Sequence, residues 1–293
     1  MTADLLTGAA PLFDLLRGER WVAPRVAPHG PPGAHRARRR GSSLEFTEYR
    51  PYRQGDDPRR LDWKLLARTD RAYVRITDDH AVMPTAFVVD ASASMGFPIG
   101  SLAKWRVAQL VTLGLAFVAT GEGDPVALGI VAAQTVRRPL QMRRGVVADL
   151  TRALDSVEPS GSGSLSPLLD EMAGRSRGRL VIVSDFLGDD AALLTRSHAL
   201  TAAGVTVHAV HVVAREELSP AERIAVVSDP EDAAVRRPFT RRSRAAYLAR
   251  FGEWRATLRH EWRAAGASYV MAVTDEPVDR IVHEVIYSHA SRT

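Results

Sequence analysis

The sequence predicts an α/β fold with a doubly wound, mostly parallel sheet and a small N-terminal module. Three observations carry that expectation. The first is a set of short, continuously apolar runs, such as Ala86-Phe87-Val88-Val89 and Leu180-Val181-Ile182-Val183, of the kind found in strands buried on both faces. The second is their alternation with longer segments of helical period. The third is that two of these runs end in a carboxylate, Asp90 and Asp185, and are followed by hydroxyl- or turn-rich residues. In open α/β sheets, the loop after a buried strand lies at the carboxyl edge, where ligands bind.

In chain order, residues 4–21 place Leu5, Leu6, Leu12, Leu15, Leu16 and Trp21 at loosely helical spacing, with Pro11 starting or kinking the helix. Residues 22–33 carry four prolines and two glycines and read as a linker. From 35 to 68 the period is mixed. Strand-like pieces are expected near 45–49 and 72–76, with a helical turn after Asp56-Asp57-Pro58. Phe46, Tyr52 and Trp63 indicate that this segment folds against the main domain, since a solvated basic arm has no use for aromatics. Strands are then expected at 85–90, 126–132, 135–139, 179–184, 205–213 and 268–273. Helices are expected at 101–120, 145–157, 165–174, 190–203, 241–265 and 277–288. In 101–120 the polar residues Lys104, Gln109 and Thr112 make a narrow stripe, so that helix should be largely buried. Residues 215–240 break the alternation and read as an irregular excursion. The expected division is an N-terminal module over 1–80 and a sheet domain over 81–293.

Composition narrows the function classes. The 293 residues contain no cysteine, which removes disulfides, thiolate metal sites and cysteine nucleophiles. The longest apolar run, Leu110 to Ala119, is too short to span a bilayer, and the N-terminus lacks the charge pattern of a signal peptide. A cytoplasmic protein with no membrane span is expected. Formal net charge is +5, and between His35 and Arg75 twelve Lys/Arg face six Asp/Glu, with Arg38-Arg39-Arg40 as the densest run. A solvated basic run explains this triplet more simply than a phosphate contact does.

The chemistry concentrates in Asp90-Ala-Ser92-Ala-Ser94. One carboxylate and two hydroxyls offer only oxygen donors, the set preferred by hard divalent cations. Ser160-Gly-Ser-Gly-Ser164 supplies further hydroxyls and Ser184-Asp185 a second carboxylate, so Asp90, Ser92, Ser94, Ser164 and Asp185 are candidate ligands of one ion, with Ser160 and Ser162 competing for the place of Ser164. The plainer roles of the serines are turns and helix caps. No nucleophile elbow, P-loop lysine motif or His-Glu-x-x-His is present, and no catalytic residue is assigned. His208 and His211, at odd spacing on one strand, are expected to point to opposite faces as packing residues. Asp56-Asp57 and Asp189-Asp190 are read as acidic helix starts.

Two stretches resemble a known family. Gly41, Glu45-Phe46, Arg50, Tyr52, Gly55-Asp56-Asp57-Pro58-Arg59 and Leu61-Asp62-Trp63, followed by Asp90 to Met95, look like the signature of the domain of unknown function 58 family. The Leu180 to Phe186 strand end and Thr274-Asp275-Glu276-Pro277 are similar to it as well. The pattern Asp-x-Ser-x-Ser also resembles the metal-ion-dependent adhesion site of von Willebrand factor A domains. The resemblance implies a von Willebrand factor A-like, Rossmann-like domain that binds Mg²⁺ (or Mn²⁺ or Ca²⁺) and takes a partner's Asp or Glu as an additional ligand. It also implies a non-enzymatic adaptor or co-chaperone role beside a MoxR-type AAA+ ATPase in bacteria. Many family members carry N-terminal membrane helices, which this sequence lacks, and Ser164 stands where such domains usually have Thr. The alternatives are a metal-dependent hydrolase using the same ion, or a nucleic-acid binder using the Arg-rich segment; no nucleic-acid partner is expected.

Overall fold

The structure is a computed structural model that describes residues 5–21, 32–40, 46–54, 56, 61–99, 101, 103–133, 135–143, 146–173, 178–188, 190–222, 226–228 and 236–288. The elements in chain order begin with α1 (Leu5–Leu15), β1 (Pro32–Arg40), β2 (Phe46–Pro51), α2 (Trp63–Thr69) and β3 (Tyr73–Ala81). The alternating region follows: β4 (Thr85–Asp90), α3 (Ala103–Gly121), β5 (Val126–Ala132), β6 (Thr135–Arg143), α4 (Val147–Asp155) and α5 (Ser166–Ala173). It continues with β7 (Arg179–Ser184), α6 (Asp190–Ala202), β8 (Thr206–Val213) and the short α7 (Arg215–Leu218). The last elements are β9 (Val226–Ser228), β10 (Arg236–Pro238), α8 (Arg241–Ala264), β11 (Ser268–Val273) and α9 (Val278–Tyr287).

The main sheet has six strands in the order β11-β8-β7-β4-β5-β6, with β6 alone antiparallel to its neighbour. This is the expected doubly wound, mostly parallel α/β sheet. Its strands sort their side chains strictly by parity. Phe87, Val89, Val181 and Val183 join one core with α1, α3, α4 and α9, whereas Ala86, Val88, Leu180 and Ile182 join the other with α5, α6 and α8. Period two with both faces covered is why these strands read as unbroken apolar runs. From β4 the chain winds outward through β5 and β6, then returns to β7 on the other side of β4 and winds outward again through β8 and β11. The carboxyl ends of β4 and β7 therefore flank the topological switch point.

The chain packs as two units, residues 1–22 with 84–293 and residues 23–83. Where the sequence reading groups 1–80, the packing places α1 with the sheet domain, because Leu5, Leu12, Leu16 and Trp21 are buried in the core that α3 and α9 share. The smaller unit holds a three-stranded antiparallel sheet, β1-β3-β2. β1 was not expected from the sequence, since Pro32-Gly-Ala-His-Arg-Ala-Arg-Arg-Arg has neither strand propensity nor apolar alternation; pairing with β3 makes it a strand. The helix expected after Pro58 starts later, at Trp63, because Asp62 caps it by accepting from the amides of Lys64 and Leu65 at 3.0 and 2.9 Å. Asp57 and Asp189 lie outside the described residues. Asp56 binds Arg50 at 2.7 Å and the Arg53 amide at 2.8 Å, which hold its carboxyl below the usual range.

Candidate metal centre at the switch point

Asp90 is the last residue of β4, and the register that pairs Val89 with Val183 sets Ser184 beside it. Both have the parity of the α5/α6/α8 face. The Ser184 hydroxyl donates to Asp90 Oδ2 at 2.6 Å, and the Ser92 amide donates to Oδ1 at 2.9 Å. Asp90 is 7% exposed. Burial, and after it the charge of Asp185, push its carboxyl up to about 6, against the lowering effect of its hydrogen bonds. No cationic side chain bonds to it among the described residues.

Ser92 and Ser94 stand in the turn that follows, which continues as a 3₁₀ segment over Ala93–Gly96. Their hydroxyls lie 3.0 Å apart and both residues are buried. The plainer cap role is not what Ser92 does, since it precedes that segment without a side-chain cap bond. The Ser160–Gly161 backbone is laced to this turn: the Ala93 amide donates to Gly161 O at 2.8 Å, and the Ser160 amide to Ala91 O at 2.9 Å. Gly161 has φ +61°, and a Cβ there would sit 2.8 Å from Ala133 Cα, so only glycine allows this close approach. Ser164, farther along that loop, is exposed and accepts from the Ser166 amide at 3.3 Å.

Asp185 follows Ser184 with the opposite parity and so turns toward α3. There Lys104, fully buried in the first turn of that helix, binds Asp185 Oδ2 at 2.6 Å and Glu217 Oε1 at 3.0 Å. Burial alone would lower the Lys104 pKa, but the two carboxylates outweigh it and raise it. Glu217, in α7, also accepts from the Ala214 amide at 2.7 Å and ties the start of the excursion to the site. Phe186 turns the chain away at φ +52°, a left-handed conformation rare for a bulky residue. It is held by its amide bond to Ser184 Oγ, 2.9 Å, and by packing on Trp262 with ring centroids 5.1 Å apart.

Asp90, Ser92, Ser94 and Ser184 thus form one hydrogen-bonded group, Asp185 adjoins it electrostatically while paired with Lys104, and Ser164 stands apart, bonded to the Ser166 amide. Lys104 and Glu217 escaped the sequence reading, which placed Lys104 in a buried polar stripe. The available signal was that Lys104 is one of only two lysines among 39 basic residues and lies in the first turn of a mostly apolar helix just after the Asp-x-Ser-x-Ser turn. His208 and His211 do face opposite sides: His208 packs on Trp21 and bonds Ser268 at 2.8 Å, and His211 packs on Phe186 and bonds the Tyr269 hydroxyl at 2.5 Å. Burial drives the His211 pKa down to about 3, so its ring is neutral.

A hard cation fits this donor set. A buried carboxylate without a cationic partner stands beside two hydroxyls that are bonded to each other, and such a carboxylate is costly unless compensated. Among the described residues no three His, Cys, Asp or Glu side chains cluster to hold an ion by themselves, so serine oxygens have to contribute.

A family model described as "Protein of unknown function DUF58" matches residues 48–257. The chain belongs to the DUF58 family. Curated relatives include uncharacterized proteins of Mycobacterium bovis (Mb1516) and Mycobacterium tuberculosis (Rv1480). Each is 34% identical over 154 residues, covering 50% of this chain and 49% of the relative. The matched region spans about half the length of those relatives. Among solved structures, this DUF58 protein is similar to the hypothetical protein BatB from Bacteroides thetaiotaomicron, at 16% identity and TM-score 0.46 over 71% of this chain and 99% of that one. The SpRpn10 VWA domain is similar at 12% identity and TM-score 0.41, over 70% and 95% of the two chains. No described helix is long and apolar enough to cross a membrane.

Proposed function

We propose that this DUF58 protein is a cytoplasmic, non-enzymatic protein-interaction module whose binding depends on a divalent cation at the switch point. The observation that carries the reading is Asp90: a buried carboxylate, raised to about 6, with no cationic partner among the described residues, beside the paired hydroxyls of Ser92 and Ser94. Asp90, Ser92 and Ser94 would hold Mg²⁺ or a similar ion directly. Ser164 and Asp185 complete the proposed set, Asp185 by yielding part of its pairing with Lys104. An ion held by two carboxylates and neutral hydroxyls keeps open coordination positions for hard oxygen donors, which suits a partner's Asp or Glu.

What the chain's own residues do is position and exclude. Ser184 and the Ser92 amide fix the two Asp90 oxygens, Lys104 and Glu217 orient Asp185, and the aromatic packing of Phe186 shields the crevice floor. Among the described residues His211, whose pKa burial drives down to about 3 and whose Nδ1 is tied to the Tyr269 hydroxyl, is too weak a base to activate a serine hydroxyl. A binding role therefore suits the site better than hydrolysis. The family resemblance makes a MoxR-type AAA+ ATPase the first partner to try.

Calorimetric titration of the protein with Mg²⁺ and Mn²⁺, beside an Asp90→Ala variant, tests the reading. Binding in the wild type that vanishes in the variant is expected. If neither ion binds and neither ion raises the melting temperature, the metal-dependent mechanism is wrong.

A further inference from the structure

Beside the switch point lies a groove of about 660 Å³ between the residues that follow β7, the β9–β10 pair and the N-terminal part of α8. One wall is Phe186 and Leu187, which come directly after Asp185; the other is Tyr247, Phe251 and Trp254, at i, i+4 and i+7 on α8. α8 runs for 24 residues, yet its buried residues, Leu258 and Trp262, both lie in its last third. In the preceding turns Trp254 packs on the rim of the core against His211, ring centroids 5.4 Å apart, and Tyr247 and Phe251 stay half-buried, so the aromatic stripe is only partly covered. Leu187 is 51% and Val227 39% exposed, which makes a contiguous apolar surface that a soluble domain seldom leaves uncovered without a use.

The aromatic rings are stacked on one another, Tyr247 on Phe251 at 5.4 Å and Phe251 on Trp254 at 5.6 Å, and Arg255 covers Phe251 at 4.9 Å. Faces used in this way leave ring edges and aliphatic walls for a guest. That suits an inserted side chain better than an intercalating base. The charge is one-sided: between Arg236 and Arg259 the chain carries eight arginines and one acid, Glu253. Arg237 and Arg250 line the groove itself. Glu217, the carboxylate that acts on Tyr247, is already engaged by Lys104.

We propose that this groove docks an acidic peptide segment of a partner protein, with an apolar side chain seated between Leu187 and the Tyr247–Trp254 stripe and carboxylates meeting Arg237 and Arg250. Because Phe186 and Leu187 adjoin Asp185, a segment in the groove runs toward the switch point. A carboxylate at its end then reaches the proposed metal centre, and this last element rests on the metal reading above. The groove contributes apolar anchoring and charge selection, and the centre contributes metal dependence.

The test is fluorescence anisotropy on the full chain with labelled peptides of about 12 residues, each an acidic sequence carrying one Trp, Phe, Leu or Met anchor. The controls are oligo-glutamate, the same anchors flanked by lysine, and a single-stranded oligothymidylate. In EDTA, at least one acidic anchored peptide is expected to bind about tenfold tighter than oligo-glutamate and the lysine series. Leu187→Asp and Arg250→Glu, both at exposed positions, should each weaken it by about tenfold while circular dichroism stays unchanged. Failure of every acidic anchored peptide, indifference to both substitutions, or preference for the oligonucleotide would each overturn the docking proposal. Adding Mg²⁺ is expected to tighten the peptide further in the wild type but not in Asp90→Ala. If the groove effects hold and Mg²⁺ has no effect, the metal reading fails and the groove stands.

Discussion

Replacing Asp90 by Asn removes the charge at the switch point while keeping the shape, and the structure sets the size of the effect. The Asp90 carboxyl titrates near 6 in the folded chain against 3.8 for an unperturbed aspartate. The folded state therefore binds the proton more tightly, and this group's contribution is most favourable below about pH 4 and is lost as pH rises to about 6. At roughly 1.36 kcal/mol per pH unit, the ionised form costs about 3 kcal/mol above that window. Asn keeps an acceptor for the Ser92 amide, but its amide group faces Ser184 Oγ, which already accepts from Phe186. The Ser184 hydroxyl loses its acceptor at a cost of about 1 kcal/mol. In EDTA near pH 7.5 the variant should thus be about 2 kcal/mol more stable than the wild type, and the gap should shrink by at least about 1 kcal/mol near pH 5. Urea denaturation of both proteins across that range measures it. With Mg²⁺ at about a hundred times its Kd, the wild type should regain about 2.7 kcal/mol and the variant nothing. A variant that is less stable at every pH, or a gap that ignores pH, would refute the assignment of Asp90 as an uncompensated buried carboxylate.

Other expectations concern pairs that are already satisfied. Lys104→Met leaves Asp185 and Glu217 without their shared cation and should cost about 3–5 kcal/mol in denaturant unfolding; restoring part of that loss with Asp185→Asn would confirm the pairing. Arg179, at the opposite end of the sheet, is fully buried against Asp124 at 2.9 Å, the Trp21 carbonyl and the Trp21 ring. Arg179→Met should cost a similar amount without touching Mg²⁺ affinity, and the Arg179→Met, Asp124→Leu double variant should recover most of it. Asp62→Ala removes the cap of α2 and should lower helix stability by about 1 kcal/mol, seen as faster amide exchange at Lys64 and Leu65.

By itself the sequence determined most strands and helices of the larger unit to within about two residues, but β6 runs four residues past its expected end, and α7, β9 and β10 lie in the stretch read as an irregular excursion. β4, β5, β7 and β11 fall on the expected limits because each is an apolar run closed sharply by polar or turn residues. Period and run length are local properties of the chain, so they survive without tertiary information. The same holds for Asp90, Ser92 and Ser94, which share one turn. β1 was missed because a basic, glycine-containing strand is made by its partner β3 and carries no signal of its own. α1 was grouped with its sequence neighbours because nothing in Leu5, Leu12 or Leu16 says which core they enter. Only the tertiary structure decided who meets whom at the switch point. Sheet register, invisible in a single strand, put Ser184 against Asp90, and side-chain parity turned Asp185 away toward α3. There Lys104, 81 residues earlier in the chain, meets it together with Glu217.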